Sequence, residues 1–566
     1  MTTVNLLDRI RTPNDVKALT DAELSGLAQA LRAEIVTSVA KTGGHLASSL
    51  GAVELTLALV RLFDPVRDRV VWDVGHQSYA WKLLTGRRGG FGTIRTLDGL
   101  SGFCNPEESP CDAFVSGHAG SALAAAAGMV AARRVLGGDG EVVAVVGDAS
   151  LANGVSLEAL GNLSSLRDRL ILVVNDNGQA GVGPKPGAGF FAGFGLPYIG
   201  PVNGHETGAV TAALDAARTA KGPVVVHVLT VKGRGYAPAE RDPAVWHGVG
   251  PFDAAAGAPA ADADDTWSAA FGREALRLAA ADGRICALTA AMRDGTGLAA
   301  FARTYPDRFF DSGICEEHLV TFAAGLAKAG GRPLVALYST FLQRAVDQVM
   351  HDVCLLRLPV IFAVDRAGCV GHDGRTHHGM FDLAMLRCLP NLTICQPADA
   401  GELRAALDLA RQAGGPWVVR YPRGRAAPAR TDAAPMNVGR AEPLCGTDAK
   451  VQIWALGDQV AKALAVRDML AARGRTVGVV NARFVKPFDA DLLARQRQAG
   501  ACVVSLENGC VAGGFGEALG ADIRFGWPDC YVGHGSVAEL EARHGLTATA
   551  IADALGTRLG QEEMGR

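Results

Sequence analysis

Val142-Val143-Ala144-Val145-Val146-Gly147-Asp148-Ala149 is the stretch on which the fold turns. An unbroken apolar run closed by Gly-Asp reads as a strand buried on both faces, as in a parallel sheet covered by helices. A second apolar run ends at Asn175-Asp176-Asn177. The helical pattern over 154–163 between them has the length of a crossover joining neighbouring parallel strands. Both turns then open at one carboxyl edge, where ligands bind in open α/β sheets. There a carboxylate from Asp148 and an amide oxygen from Asn177 can share a hard divalent cation, with backbone N–H groups facing the phosphate oxygens of a diphosphate. Gly-Asp after a strand is also ordinary turn chemistry, so the pair and its spacing carry the weight.

At 566 residues and 49% hydrophobic, the chain can bury several cores and exceeds one domain. Its 55 basic and 58 acidic side chains leave a formal charge of −3, which points to neither nucleic acid nor an anionic membrane as partner. Residues 1–16 mix charges without an apolar segment, and the longest apolar stretch, near 122–132, is too short to span a bilayer. A cytoplasmic location is expected. The 12 cysteines include no Cys-x-x-Cys pair, which argues against a zinc ribbon or disulfide framework and leaves most as buried small hydrophobes.

Three α/β blocks alternate apolar runs with helical patterns. The first, 1–255, also holds strands at 70–74 and 224–229, and a linker rich in Ala, Gly, Pro and Asp follows over 253–265. The second, 266–425, begins with a helix near 267–280 and has strands at 285–288, 334–337, 360–364 and 392–395. A loose stretch over 425–435 precedes the third, 440–566, with strands at 451–455, 476–480 and 502–506. The expected fold class is α/β in three domains: two parallel-sheet domains suited to one extended cofactor, and a smaller α/β domain.

In the second block Ile314-Cys315-Glu316-Glu317-His318 precedes a helical run over 319–328. A glutamate there is commonly a solvated first-turn acid. Its companions in the block are Leu337-Tyr338-Ser339-Thr340-Phe341-Leu342-Gln343-Arg344, Asp365-Arg366-Ala367-Gly368, Gly371-His372-Asp373-Gly374-Arg375-Thr376-His377-His378-Gly379 and Arg420-Tyr421-Pro422-Arg423-Gly424. With Gly44-His45-Leu46-Ala47-Ser48, Trp72-Asp73-Val74-Gly75-His76-Gln77 and Lys232-Gly233-Arg234-Gly235-Tyr236, they closely resemble the 1-deoxy-D-xylulose-5-phosphate synthase family. These are transketolase-like enzymes that open the methylerythritol phosphate route to isoprenoids. The likeness covers nearly the whole chain, its third block resembling the transketolase C-terminal domain.

The resemblance implies a homodimeric transferase, with two thiamine-diphosphate-binding domains, that decarboxylates pyruvate and joins the remaining carbons to glyceraldehyde 3-phosphate. The product would be 1-deoxy-D-xylulose 5-phosphate, the cofactors thiamine diphosphate and Mg²⁺. On the family pattern Asp148, Asn177 and Gln179, the last through its backbone carbonyl, hold the metal. His76, Gly117, His118, Ala119, Gly147, Ala149, Ser150 and Lys232 fall at cofactor-binding positions. Glu316 matches an activating glutamate, a role for a buried carboxyl able to share a proton, and Phe341 matches an aromatic that stacks on the pyrimidine. His45, His76 and His377 match acid–base and substrate-positioning groups. Arg366 and Arg423 match positions that hold the aldehyde's phosphate, where arginine's fork excels, with Tyr338 and Arg344 as neighbours. Arg95, Asp373 and His377 match a set that closes around the pyruvate-derived adduct, although an arginine's commoner fate is a surface ion pair. His247 is a second-tier candidate, His318 and His378 stand beside better ones, and His205, His227, His351, His534 and His544 read as structural or surface residues.

The chain departs from the family pattern at four places. Ala149 stands where the family has Gly, a strain only if φ is positive. A Gly- and Pro-rich loop over 178–197 replaces a much longer segment of the kind that acts as a lid. Gly117-His118-Ala119-Gly120-Ser121 replaces Gly-His-Ser-Ser-Thr, and Arg375 adds a positive charge two residues before His377. Three other readings follow: a paralogue using another aldehyde, a general transketolase, and a non-enzymatic protein. The last would need none of Glu316, Asp148 and Asn177.

Overall fold

Runs of Val, Ile and Leu without polar interruption form the inner strands of the first sheet, because such side chains need cover on both faces. In this computed structural model, which describes residues 6–178, 185–258 and 264–564 and side chains as far as 558, the sheet comprises five strands. They are β1 (Arg69–Trp72), β2 (Val142–Gly147), β3 (Ile171–Asp176), β4 (Tyr198–Asn203) and β5 (Val224–Leu229), all parallel, in the order β1-β2-β3-β5-β4. Every residue over 142–146 and 171–175 is buried. The crossover is the helix Gly154–Leu163, started by the Asn153 side chain accepting from the Val155 N–H. Val146 stands opposite Val174 and Gly147 opposite Asn175, so the chain leaves both strands at one edge, as their spacing requires.

The described residues group into two compact units, Met1–Ala261 with His372–Thr376, and Asp262–Gly371 with His377–Arg566. The second holds two sheets. The larger contains β6 (Ile285–Thr289), β7 (Phe309–Asp311), β8 (Arg332–Tyr338), β9 (Ile361–Asp365), β10 (Thr393–Cys395) and β11 (Trp417–Arg420). The other contains β12 (Glu442–Cys445), β13 (Val451–Ala455), β14 (Gly478–Asn481), β16 (Cys502–Cys510) and β17 (Ile523–Trp527). Between β14 and β16 in the chain, β15 (Phe484–Lys486) instead pairs antiparallel with β10 in the larger sheet. One apolar cluster therefore runs from Leu288 and Val320 to Trp454 and Val503.

The Ala-rich stretch lies in the helix Ser121–Leu136, bounded by left-handed Gly120 and Gly137. Over 178–197 the expectation of a loop needs correction. Residues 179–184, Gln179 among them, lie outside the described residues, but Ala188–Ala192 is helical, since Phe191 is buried and stacks on Tyr198. The cysteines also differ from expectation: all 12 are free thiols, yet only Cys104, Cys111, Cys354, Cys395 and Cys510 are buried. Others lie where strands begin or face an edge, as Cys502 and Cys445 do. No helix among the described residues is long and apolar enough to cross a membrane.

Candidate active site

Asp148 opens a 3-10 turn, Asp148–Ala152, directly beyond β2, and is 5% exposed. Asn177 follows β3 with its Oδ1 buried and unpartnered among the described residues. Such an oxygen costs about 1–3 kcal/mol, which a coordinated cation would relieve. Its neighbours are satisfied: Asn175 donates to Gln77 Oε1 and accepts from Thr230 Oγ1, each at 2.6 Å, while Asp176 accepts from His227 Nε2 at 3.0 Å. Oxygen donors alone suit Mg²⁺ better than a transition metal. Burial lowers the pKa of Lys232, and the nearby Asp148 carboxylate opposes that shift. Ala149 lies inside the helical turn and is not among the residues with positive φ, so its methyl group brings no backbone strain. Ser150, in the same turn, is buried.

Gly117-His118-Ala119-Gly120 leads into the helix Ser121–Leu136. Asp73, wholly buried beyond β1, accepts from the Gly120 N–H at 2.9 Å and the Ala122 N–H at 3.1 Å, placing its charge at the positive end of that helix. Gly120 has φ 87°, and a Cβ there would stand 2.2 Å from Asn153 Oδ1, so glycine is required. His118 Nε2 donates to the Thr376 carbonyl at 2.9 Å, and Ala119 is buried beside it. Asp73 lies in a motif the sequence singles out, but only its bonds reveal its role as the anchor of this turn.

His45, His76 and His247 form a triangle in the first unit, with ring centroids 6.4, 5.8 and 5.3 Å apart. Burial, reinforced by the neighbouring rings and Lys232, holds His76 well below the ordinary histidine range. Burial and Lys232 push His247 down to about 3. Both are therefore neutral at neutral pH, able to accept or relay a proton without carrying charge at rest. Ser48 Oγ bonds His247 Nδ1 at 3.3 Å, and Ser49 Oγ donates to the His76 carbonyl at 3.0 Å. His247 thus stands fully inside the cluster. His205 and His227 are structural, engaged by Glu54 and Asp176, whereas His351 is an exposed partner of Asp352.

Arg95 holds Asp373 at 2.8 Å with a backbone φ of 66°, an unusual conformation for arginine, and its carbonyl accepts from His372 Nδ1. Arg375 pairs with Glu107 at 2.8 Å and also bonds Asn105, so its extra charge is neutralised within the first unit. The structure therefore joins two members of the expected closing set, Arg95 and Asp373. His377 groups with the second unit.

In the second unit Glu316 is the first residue of the helix Glu316–Lys328, 2% exposed, with Oε2 unpartnered among the described residues. Burial raises its pKa to about 7, against the opposing pull of its helix terminus and of Arg344. Phe341 stacks on Tyr338 at 5.8 Å and meets the His377 ring edge-on at 5.6 Å. Arg366 has φ 58° and its guanidinium lies 4.1 Å over the Tyr338 ring. Its Nη1 donates to Ser268 Oγ, the Gly295 carbonyl and Asp365 at 2.6–2.8 Å. Arg423 is exposed, with Nη1 3.4 Å from the Val370 carbonyl. His378 is a packing residue, bonded to Val370 N and to the Gly533 carbonyl, and His318 lies against Phe322.

The sequence pattern described as 1-deoxy-D-xylulose-5-phosphate synthase matches residues 7–188 and 182–230. The patterns of the transketolase pyrimidine binding domain and C-terminal domain match 264–428 and 439–551. The chain is similar to 1-deoxy-D-xylulose-5-phosphate synthase 2 of Geobacter sulfurreducens, 43% identical over 620 residues, covering 98% of this chain and 99% of that protein. It is also 43% identical over 613 residues to the 1-deoxy-D-xylulose-5-phosphate synthase of Desulforudis audaxviator, covering 97% of this chain and 96% of the relative. A transketolase structure from Leishmania mexicana covers 95% of this chain and 97% of its own at 19% identity, with a TM-score of 0.48. The 620-residue alignment exceeds the 566 residues of this chain, and the first pattern breaks at 182–188, so relatives carry sequence there that this chain lacks.

Proposed function

The chain belongs to the 1-deoxy-D-xylulose-5-phosphate synthase family of transketolase-like transferases, and from that premise we propose that it converts pyruvate and glyceraldehyde 3-phosphate into 1-deoxy-D-xylulose 5-phosphate and CO₂. Membership brings thiamine diphosphate and Mg²⁺ as cofactors. When bound, thiamine diphosphate supplies the carbon nucleophile and the electron sink for decarboxylation and transfer. The observation that carries the reading is the Glu316 carboxyl, 2% exposed with Oε2 unpartnered among the described residues, where burial raises the pKa to about 7 and so suits it to hold and release a proton near neutral pH.

In the first unit, Asp148 and Asn177 would hold the metal, while Lys232 and the Gly117–Ala119 turn would face the diphosphate. In the second, Glu316 and Phe341 would receive the aminopyrimidine. Glu316 would hold and release a proton at Oε2. His45 and His76 would move protons to and from the reacting oxygens, and Arg95, held by Asp373, would help close the site around the pyruvate-derived adduct. Arg366, with Nη1 already anchored, and exposed Arg423 would hold the aldehyde's phosphate beside Tyr338 and Arg344.

A cytoplasmic homodimer belongs to the same reading. The second unit exposes Met350, Leu355 and Leu356 at 47%, 66% and 56%, close together in sequence and suited to burial against a second copy.

Purified protein supplied with thiamine diphosphate, Mg²⁺, pyruvate and glyceraldehyde 3-phosphate, beside a panel of other aldehydes, should form 1-deoxy-D-xylulose 5-phosphate as its preferred product by mass spectrometry. Preference for another aldehyde would identify the paralogue, and absence of CO₂ release would defeat the enzymatic reading. Arg423→Ala should raise KM for glyceraldehyde 3-phosphate about 10- to 100-fold, the range expected for a lost charge-assisted bond. Unphosphorylated glyceraldehyde should be unaffected; equal losses on both would count against a phosphate clamp.

A further inference from the structure

The backbone of His45 needs an external anchor. It follows Gly43 and Gly44, with φ of 71° and 150°, two positions whose conformational freedom must be removed before the imidazole can hold one place. Gly44 is tied on one side: its N–H donates to the Val249 carbonyl at 2.8 Å, and its carbonyl accepts from the Val249 N–H at 3.0 Å. On the other side the His45 N–H donates to Tyr79 Oη at 3.1 Å. Tyr79 is wholly buried and packs edge-on against Phe91 at 5.8 Å, so its hydroxyl is presented by a ring with no room to move. A Cβ at Gly44 would come 2.5 Å from that oxygen, which makes the missing side chain the condition for the hydroxyl's approach.

Tyr79 also belongs to the segment that supplies His76. Ser78 Oγ donates to the Gly75 carbonyl at 2.7 Å and fixes that turn, and the helix Tyr79–Lys82 begins immediately after it. A single short stretch therefore carries His76 and holds the backbone of His45. Burial keeps the hydroxyl protonated, with Arg95 and Asp373 acting on it in opposite senses.

We propose that Tyr79 is the positioning residue for His45, holding its main chain through the phenol oxygen so that the imidazole stays within the triangle with His76 and His247. This rests on the acid–base reading of His45. The test compares Tyr79→Phe, His45→Ala and the double variant in the assay with pyruvate and glyceraldehyde 3-phosphate, alongside hydrogen exchange in ligand-free protein. Phenylalanine keeps the ring packing and removes only the acceptor. Tyr79→Phe should lower kcat about 10-fold, the scale of one lost hydrogen bond, and leave KM for pyruvate within about twofold. In ligand-free Tyr79→Phe, peptides covering 43–47 should exchange about 10-fold faster, and the double variant should be no slower in turnover than His45→Ala. Unchanged kcat, unchanged exchange, or independent losses in the double variant would each overturn the proposal. Full activity of His45→Ala would instead defeat the acid–base reading, and the exchange rate would still decide whether Tyr79 anchors that backbone.

Discussion

Glu316→Gln is expected to lower kcat by about 10²- to 10⁴-fold while leaving the affinity for thiamine diphosphate within about threefold. The amide preserves the shape of a side chain that is 2% exposed at the start of its helix, and removes only its ability to exchange a proton near neutral pH. Cofactor titration and the rate of CO₂ release in a single turnover separate binding from chemistry. Full turnover in the variant would remove Glu316 from the reaction, whatever the fate of the other assignments.

The same substitution has a signature in ligand-free protein. The Glu316 pKa rises from 4.5 to about 7 chiefly through burial, so between those values the folded state keeps a proton that the unfolded state has released. Stability contributed by the neutral carboxyl is present at low pH and is lost as pH rises through 7. Above that pH the penalty is about 3 kcal/mol. Glutamine carries no such penalty. The variant's melting temperature should exceed the parent's at pH 8 and converge toward it near pH 5, and a constant difference would show that Glu316 is not the buried acid described above.

Sequence pattern located the elements whose apolar runs are long and uninterrupted. β2, β3, β5 and their crossover fall where the runs place them, because inner parallel strands have no solvent face to admit polar residues. Among the edge strands β1 was legible from its apolar run, but others were not: β4 contains Gly200 and Pro201 and is half exposed, and β15 is three residues long and joins a sheet other than that of its neighbours in sequence. In the candidate site, the proposed residues were visible by type and motif, whereas the side chains that support them were not. Asp73 and Tyr79 act through the main chain of Gly120 and His45, and a side chain bonded to backbone leaves no pairwise signature in a single sequence. His247 stood second among the candidates because its place beside His76 depends on a loop far along the chain. The charge of Arg375 looked like an intruder until its partners, Glu107 and Asn105, were known.

Asp148→Asn should produce the converse of the glutamate variant: cofactor affinity lost, chemistry intact once the cofactor is forced on. Asp148 contributes a buried carboxylate at the strand edge that also carries the unpartnered Asn177 oxygen. Mg²⁺ is ordinarily held by one or two carboxylates together with phosphate oxygens, so an uncharged ligand here should weaken Mg²⁺-dependent binding of thiamine diphosphate about 100-fold. At a cofactor concentration that saturates the parent 100-fold, the thermal stabilisation on binding should then fall from about 2.7 to about 0.4 kcal/mol. Lys232 sharpens the argument, because the Asp148 charge opposes the effect of burial on its pKa. Without that charge Lys232 should lose its proton at lower pH, and cofactor binding by the variant should decline at an earlier point on the alkaline side. Recovery of kcat at high Mg²⁺ and cofactor would place Asp148 in binding and Glu316 in chemistry. Unchanged affinity would reduce Gly147-Asp148 to the ordinary turn that its sequence alone permits.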